Sequence, residues 1–431
     1  MRKMKDTIYP WLGKIPVSWN TSKLLYCLRQ QICDGPHETP NVIDDGIPFI
    51  SIDSLNESKH VDLSIVKKFI SEEDYLIYRQ KTNLEKGDIL FSKSATIGKT
   101  AIVGDEVFMV WSPLAIIKSK VDSIQNEYLY YLLNCDELIA SIRLSGSFNT
   151  QANVGMREME RAVIPVPPLD EQKIVAQFLD SKCAEIDALF ADIQSEIETL
   201  EVYKRSVIAE AVTKGLDKNA PTKESGIEWA PRIPESWNVK KAKYNFKNHK
   251  YIPGAKSAEY DRLALTLNGV IHRSKDDADG LQPKDFLTYQ LLRKGELVFK
   301  LIDLQNISTS RVGLAHDIGL VSPAYIILHA TGDVLPEFAE KYFLMLWHRE
   351  IFNALGDNGV RSNLNSTDLL SIPICYPSVS EQKRIVDFLD SKCDEIDAII
   401  AQRQEQLAVL ADYKKSIIYE YVTGKKEVPV A

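Results

Sequence analysis

A long apolar run is the first feature that this sequence of 431 residues lacks. A membrane-spanning helix needs about 18 or more consecutive apolar residues, so the sequence predicts no membrane span. Its N-terminus is basic but no apolar segment follows, which argues against a secretory signal. The six cysteines include no C-x-x-C pair, which disfavours a zinc or redox site. We therefore expect a cytoplasmic protein with reduced thiols and no metal.

An excess of positive charge is also missing, because the formal net charge is −8. Binding to DNA phosphates needs Lys and Arg, so this value alone argues against a simple DNA-binding protein. The acid is concentrated, however: residues 166–217 carry 5 basic and 11 acidic side chains. The larger segments are near neutral and leave room for local basic patches. The charge by itself therefore indicates no partner.

Motifs of the common enzyme classes are absent as well. Gly98-Lys99-Thr100 resembles the end of a phosphate-binding loop, but the motif needs a glycine at 93, which is Lys. His37-Glu38 begins an H-E-x-x-H zinc motif that Asn41 breaks. No G-x-G-x-x-G follows a predicted strand, and no Asn- or Asp-Pro-Pro-aromatic motif of an adenine methyltransferase is found. These absences favour a non-catalytic binding protein that holds no cofactor of its own.

An internal repeat is the main positive signal. The segment EQKIVAQFLDSKCAEIDA at 171–188 returns as EQKRIVDFLDSKCDEIDA at 381–398, with 13 of 18 positions identical at an offset of 210. IPVSW at 15–19 likewise returns as IPESW at 233–237. A period this long makes each repeat a whole module. Because the segments between these motifs have diverged, the pattern indicates a shared scaffold that carries two different domains.

Heptad spacing of apolar residues follows each copy of the repeated motif and predicts two long helices that pair as an antiparallel coiled coil. Prolines block helix formation upstream, and Gly215 and Gly424 suit the C-terminal ends. Arg403 interrupts the second apolar row. An ordinary core stripe is the alternative interpretation. The predicted seam consists of Val175, Leu179, Ile186, Leu189, Ile193, Ile197, Leu200, Ile385, Leu389, Ile396, Ile399, Leu407, Leu410 and Ile417.

The segments outside these helices combine strand and helix patterns, so the predicted fold class is α+β. Residues 46–52, 87–93 and 108–118 look like strands, and 126–144 looks like a helix. The second copy has strands at 295–302 and 319–329 and a helix at 336–355. We expect a first domain at 1–165, a long helix at 166–214, a linker at 215–228, a second domain at 229–375 and a second long helix at 376–425.

With these repeated motifs, the chain resembles the specificity subunit of type I restriction-modification systems. I-P-V-P-P-L-D-E-Q-K-I-V-A at 164–176 is similar to the family's junction between recognition domain and coil, and 212–237 to the start of its second domain. D-G-P-H-E-T-P at 34–40 and K-G-D-I-L-F-S-K-S-A-T-I-G-K at 86–99 resemble elements of one class of recognition domain. The second domain lacks a D-G-x-H segment and has LIDLQNISTSRVG at 301–313 in place of the second element.

The resemblance implies a pseudo-twofold particle with two α/β target-recognition domains at opposite ends of an antiparallel coil. Each domain would read one half of a split, asymmetric sequence in double-stranded DNA. Two modification subunits would methylate adenine with S-adenosylmethionine, and restriction subunits would add ATP- and Mg²⁺-dependent translocation and cleavage. This chain would itself be non-catalytic.

Polar loops between predicted elements supply the candidate DNA contacts, since binding residues concentrate on loops of a rigid scaffold. The offset of 210 aligns Gln151 with Arg361; Gln suits adenine and Arg suits guanine in the major groove. A solvated hairpin is the alternative for residues 92–100, and incidental variation for Gln151 and Arg361. The candidates are His37, Lys93, Ser94, Thr96, Lys99, Thr150, Gln151, Lys300, Arg311, Arg361 and Asn363.

Two other classes stay open from the residues alone. One is a DNA methyltransferase with a diverged motif set, which S-adenosylmethionine binding by the isolated chain would reveal. The other is a coiled-coil scaffold unrelated to DNA. Neither the target sequence nor the spacer length can be read from this sequence, because readout depends on side-chain placement and DNA shape.

Overall fold

The structure is a computed structural model that describes residues 2–38, 40–56, 58–145, 153–275, 286–304, 309–356 and 363–429. It divides into two compact units, residues 1–194 with 405–431 and residues 195–404. Each unit combines strands and helices, which confirms the predicted α+β class. Within the described residues, no helix is long and apolar enough to cross a membrane.

The first unit contains the strands β1 to β11 and the short helices α1 to α4. They are β1 (Met4–Asp6), β2 (Lys14–Pro16), β3 (Asn20–Lys23), β4 (Cys33–Asp34), β5 (Ile47–Ile50), β6 (Phe69–Ile70), α1 (Glu72–Lys81), β7 (Ile89–Ser92), β8 (Thr100–Ile102), β9 (Met109–Val110), β10 (Leu114–Ile117), α2 (Asn126–Leu133), α3 (Asp136–Ser145), α4 (Met156–Arg161) and β11 (Val163–Val166).

The second unit contains the strands β12 to β23 and the short helices α6 to α8. They are β12 (Thr222–Glu224), β13 (Arg232–Pro234), β14 (Asn238–Lys241), β15 (Phe246–Asn248), β16 (Arg262–Thr266), β17 (Gly269–Arg273), β18 (Gln290–Leu292), β19 (Leu297–Phe299), β20 (Val312–Leu314), β21 (Gly319–Val321), β22 (Ile326–Ala330), α6 (Pro336–His348), α7 (Ile351–Leu355), α8 (Ser366–Ser371) and β23 (Pro373–Tyr376).

Two long helices complete the chain, α5 (Leu169–Lys214) and α9 (Val379–Val422), and each contributes residues to both units. Short 3-10 turns lie at Leu24–Cys27, Ile52–Ser54, Leu63–Ile65, Ala242–Tyr244 and Gly254–Glu259.

The two units repeat one sheet topology. The first has an antiparallel sheet of order β4-β10-β7-β8, and the second has β15-β22-β19-β20. Parallel pairing joins β5 to β9 in the first unit and β16 to β21 in the second. The pairs β1-β2 and β3-β11 correspond to β12-β13 and β14-β23. The divergent segments of the sequence therefore still build the same framework.

The long helices run antiparallel to one another within each unit. In the first unit Lys414 Nζ lies 2.5 Å from Asp187 Oδ1, and the Phe178 and Tyr421 rings lie 4.5 Å apart. In the second unit Lys204 Nζ lies 2.5 Å from Asp397 Oδ2. The residue numbers of one helix fall as those of the other rise, as the sequence predicts. The two Lys-Asp pairs are related by the repeat offset of 210.

Most of the predicted seam is buried or half-buried, but Leu189 is 51% exposed. Residues 187–192 are all exposed and span more than one full turn of α5, so no packed face runs through this level in the part of the chain that the structure describes. The placement of Leu189 in the buried seam was therefore wrong. Val175 and Leu179 also pack into the core of the first domain, so their row serves as both domain core and helix seam.

Several predicted boundaries differ from the structure. The segment 215–228, predicted as a linker, contains β12, which pairs with β13, and the buried Ile227. Because β12 is polar and only three residues long, its sequence gives no periodic signal, and its pairing with β13 cannot be recognised from periodicity. The helix predicted at 126–144 is divided into α2 and α3 at Asn134-Cys135, and the one predicted at 336–355 is divided into α6 and α7 at Arg349-Glu350, where Glu350 has φ 57°. The strand predicted at 108–118 breaks at a cis Ser112-Pro113 bond.

Candidate nucleic-acid interface

The loop between β7 and β8 carries four of the predicted contact residues and is closed by its own hydrogen bonds. Ser92 Oγ donates to the carbonyl of Thr96 (2.6 Å) and accepts from the amide of Lys99 (2.8 Å). Ala95 occupies the left-handed region at φ 55°, which turns the chain at the tip. Ala95 and Thr96 are exposed, while Ser94 is half-buried. The loop therefore presents a short, internally bonded tip to solvent.

Lys99 does not belong to this exposed tip. Its Nζ donates to the backbone carbonyls of Leu55 (2.7 Å) and Ile52 (3.4 Å), in and beside the 3-10 turn Ile52–Ser54. The side chain thus fastens the end of the loop to the body of the domain. The structure places Lys99 behind the loop, which differs from its predicted role as a direct contact.

Lys93 lies at the base of the same loop and forms an ion pair with Asp34. Only 14% of the Lys93 side chain and 12% of that of Asp34 are exposed. Asp34 also accepts from Ser112 Oγ (3.1 Å), and His37 Nε2 lies 3.4 Å from the same carboxylate oxygen. The His37 side chain is 76% exposed. The carboxylate of Asp34, which is not among the predicted contact residues, therefore lies between two residues that are, Lys93 and His37.

A cavity of about 710 Å³ opens beside this cluster. His37, Lys93, Ser94, Ser112 and Asn153 are among its lining residues. Donor and acceptor groups converge there, as a site that reads base edges requires. Neither Asp34 nor Ser112 is among the residues predicted from the sequence, although Asp34 begins the D-G-P-H-E-T-P segment at 34–40.

The segment that leads out of the first domain's helices joins this cavity. The Val154 amide donates to the Lys93 carbonyl (2.8 Å), and Asn153 forms an isolated bridge with Ser94. Asn153 and Val154 therefore meet the loop at 92–100. Thr150 and Gln151 lie outside the described residues.

In the second unit the loop between β19 and β20 is longer and is held differently. Arg311 is completely buried, and its guanidinium donates to the carbonyls of Asp303 (2.6 Å), Ile302 (3.3 Å) and Lys300 (3.4 Å). Asp303 takes the left-handed conformation at φ 53°, as Ala95 does in the first unit. Arg311 thus shapes the loop from inside, and its burial argues against the predicted direct contact.

Lys300 and Asn363 lie at the same loop. Lys300 Nζ donates to Thr309 Oγ1 (3.1 Å), and burial together with the neighbouring positive charge of Arg311 lowers the pKa of its ammonium group. Asn363 is exposed, and its Oδ1 accepts from the Asp303 amide (3.0 Å). The Leu364 amide donates to the Leu301 carbonyl, as that of Val154 does to Lys93. Arg361 lies outside the described residues.

Both units therefore bring together the same two segments with different side chains. This convergence depends on an unchanged joint between each domain and its long helices. Buried Gln172 donates to the carbonyls of Ser123 (3.1 Å) and Pro167 (2.9 Å) and accepts from the amide of Gln125 (2.8 Å). Gln382 repeats all three bonds, with Asp333, Pro377 and Leu335. Every partner is displaced by the repeat offset of 210.

The I-P-x-S-W motifs close the same joint. Trp19 Nε1 donates to Glu171 (2.8 Å) in the first unit, and Trp237 Nε1 donates to Glu381 (3.2 Å) in the second. Both indoles are fully buried. Gly215 and Gly424 follow the helix ends at φ 73° and 68°, as predicted for C-terminal caps. The most strongly repeated sequence is thus the part that fixes each domain to the helices.

A metal centre finds no support in the described part of the chain, which contains no group of three or more His, Cys, Asp or Glu side chains that could hold an ion. The hydrogen-bonded loops on the repeated frame are the feature in which the two domains differ from each other. Such a surface can bind and discriminate a ligand by its donors and acceptors.

Comparison with known proteins agrees with this description. The family model for the type I restriction modification DNA specificity domain matches residues 40–199 and 325–409. The chain is 28% identical to the putative type I restriction enzyme MjaX specificity subunit of Methanocaldococcus jannaschii, over 97% of this chain and 96% of that protein. It is 23% identical to the EcoBI specificity subunit of Escherichia coli, over 89% and 84%.

A solved structure shares the fold at a TM-score of 0.67 and 13% identity, covering 96% of this chain and 99% of its own. It was described in work on complex assembly and conformational transition of the type I R-M system. The matched family model spans more than half of the sequence in two segments, one in each repeat. The chain belongs to the type I restriction-modification DNA specificity family, the non-catalytic DNA-recognition subunits of these systems.

Proposed function

We propose that each unit reads one half of a bipartite, asymmetric DNA target through the two segments that converge on its loop. The observation that carries this proposal is the repeated convergence: Lys93 with Val154 in one unit, Leu301 with Leu364 in the other. The backbone arrangement is the same and the side chains differ. Two heads of this kind suit two different half-sites, so the whole target is not a palindrome.

Within the first head, the proposed contacts are His37, Lys93, Ser94 and Thr96, together with Thr150 and Gln151. In the second they are Lys300, Arg361 and Asn363. Exposed His37 and the cavity beside Lys93 support base-edge or phosphate contacts there. Gln151 and Arg361 stay predictions from the repeat alignment.

Partner subunits supply the chemistry in this proposal. Two modification subunits would bind the long helices, since nearly identical surfaces suit identical partners. S-adenosylmethionine would be held by them, and ATP and Mg²⁺ would be used by restriction subunits. A constant helical connection predicts a constant number of unread bases, with half-site centres about 34–36 Å apart.

The test is to co-express the chain with its modification subunit and to map methylated adenines by long-read sequencing. We expect two unlike half-sites with a fixed spacer. Exchange of residues 8–165 for the first domain of another family member should change one half-site and leave the other intact. A continuous palindrome, or a change in both half-sites, would contradict the two-headed model. Binding of S-adenosylmethionine by the isolated chain would instead favour the methyltransferase alternative.

A further inference from the structure

One basic residue occupies an equivalent place in both loops although the sequence repeat does not align it. Lys99 immediately precedes β8, and Arg311 immediately precedes β20. The Ser92 amide donates to the Lys99 carbonyl (2.9 Å), and the Lys300 amide donates to the Arg311 carbonyl (3.0 Å). Because these bonds close the two loops in the same register, Lys99 and Arg311 are structural counterparts.

Both side chains turn inward and donate to backbone carbonyls. Lys99 bonds to Ile52 and Leu55 outside its own loop, whereas Arg311 bonds to three carbonyls within its loop. Arg311 is 0% exposed. A DNA phosphate could reach its guanidinium only after these bonds break and the loop unfolds.

The loop that Arg311 holds contains a strained turn. Asp303 has φ 53°, a conformation that non-glycine residues adopt only when their surroundings impose it. Its carbonyl accepts a hydrogen bond from Arg311 Nη2 (2.6 Å), and its amide donates to Asn363, a proposed DNA contact. The position of Asn363 is therefore coupled through Asp303 to the Arg311 guanidinium.

We infer that Arg311 and Lys99 are positioning residues, which set the shape of the two recognition loops and so the specificity of one half-site each without touching DNA. This inference rests on the proposed function. It predicts that loss of either side chain relaxes discrimination at its own half-site. The number of phosphate contacts should stay the same, so the salt dependence of binding should not change.

The experiment uses the full chain with its modification subunit and compares Arg311→Met and Lys99→Met with the wild type. Two quantities are measured: discrimination between cognate and single-base-substituted half-sites, and the slope of log K against log salt. We expect Arg311→Met to lose roughly tenfold discrimination at the second half-site only, the scale of one well-placed base contact. Lys99→Met should do the same at the first half-site, and Lys99→Arg should largely retain it. Arg232→Met, at an exposed arginine of the second unit, is the matched control and should change neither quantity.

The outcomes separate the alternatives. A slope lower by about one with equal weakening on all sequences would make the residue a phosphate contact and overturn the inference. Unchanged discrimination would also overturn it. General destabilisation would weaken both half-sites alike, and melting temperatures identify it. If Arg311→Met does not fold, Lys99→Met decides the test in the other head. If the wild-type complex itself shows no bipartite methylation, the proposed function fails.

Discussion

The two domains surround the same buried acid with different side chains. In the first, Asp88 is fully buried, accepts from the Glu85 amide (2.8 Å) and pairs with Lys118 and Arg29. Burial raises the pKa of Asp88, and the hydrogen bond from Lys118 acts against that shift. This carboxylate therefore depends on cations that stay charged at neutral pH.

In the second domain the equivalent acid is Glu296, which accepts from the Arg293 amide at the same 2.8 Å. Imidazoles lie beside it: His249 Nδ1 lies 2.6 Å and His329 Nδ1 3.4 Å from Oε1. The acid keeps its hydrogen bond to the backbone, while the side chains around it differ. By contrast, the Gln172 and Gln382 joints are identical bond for bond. The two copies therefore keep the hydrogen bonds of the joint unchanged, while the side chains inside each domain have diverged.

The largest effect is expected where the first domain depends on a permanent cation. Lys118→Met should destabilise it by about 3–5 kcal/mol at pH 7, because the buried Asp88 carboxylate keeps too little compensation. Chemical denaturation, with hydrogen exchange to locate the weakened unit, measures this. The double variant with Asp88→Asn should recover much of the loss. In the second domain, His329→Gln should cost under about 1 kcal/mol since His329 is 59% exposed. Equal costs in the two domains would contradict the comparison.

The joints should respond alike. Gln172→Leu and Gln382→Leu each remove the partners of three backbone groups at the base of a domain, two carbonyls and one amide. At roughly 1–3 kcal/mol for each unsatisfied buried group, and because two of the three bonds in each joint are only partly buried, we expect the low end of the sum, about 3–4 kcal/mol per variant. Differential scanning calorimetry of both proteins checks this. Costs that differ by more than about 1 kcal/mol between the two would show that the joints are not energetically equivalent.

A pH-dependent difference is expected at His348, whose counterpart at the offset of 210 is the buried Leu138. Burial, with the charges of Arg205 and Lys204, lowers the pKa of His348 to about 4 from 6.5. His348 therefore binds a proton below about pH 6.5 in the unfolded state, but only below about pH 4 in the folded state. Stability is present above pH 6.5 and is lost as the pH falls to 4, by about 3 kcal/mol.

His348→Leu places in the second domain the residue type that the first domain has at Leu138. It should remove the pH-dependent part of the stability that His348 contributes. The stability of the variant relative to wild type should rise by about 3 kcal/mol between pH 7 and pH 4. Urea denaturation at several pH values measures the change. Leu138→Met, a volume-conserving substitution in the first unit, is the control and should show no such slope. Parallel pH profiles for His348→Leu and wild type would refute the prediction.

The smallest effect is expected at the two ion pairs between the long helices. Lys204→Met and Lys414→Met each break one partly exposed pair, and each should cost less than about 1 kcal/mol. Melting temperatures at low and high salt check this, because the pairs weaken as salt screens them. A loss of several kcal/mol in either variant would show that the charges, and not the apolar rows, hold the helices together.

Much of the fold could be predicted from the sequence because its signals are local and periodic. The heptad rows predict α5 and α9, and the 210-residue repeat predicts two equivalent modules. The exposure of Leu189 and the strand β12 could not be predicted, since burial and strand pairing depend on which other part of the folded chain packs against a segment. Of the proposed contacts, His37 and Lys93 were found as polar loop residues, while Asp34 gave no signal because an acid is unexpected at a DNA-binding site.

The repeat architecture, the two long helices and the family could be read from the chain alone, because apolar spacing and recurring motifs are visible along it. Which basic residues can reach a ligand depends instead on tertiary contacts. Lys99 and Arg311 look like contacts in the sequence, yet both donate to backbone carbonyls of their own domain, because backbone carbonyls that are turned away from water need hydrogen-bond donors. Whether a Lys or Arg side chain faces inward or outward depends on the carbonyls that accept its hydrogen bonds. These carbonyls lie far from it in the sequence or at no fixed spacing.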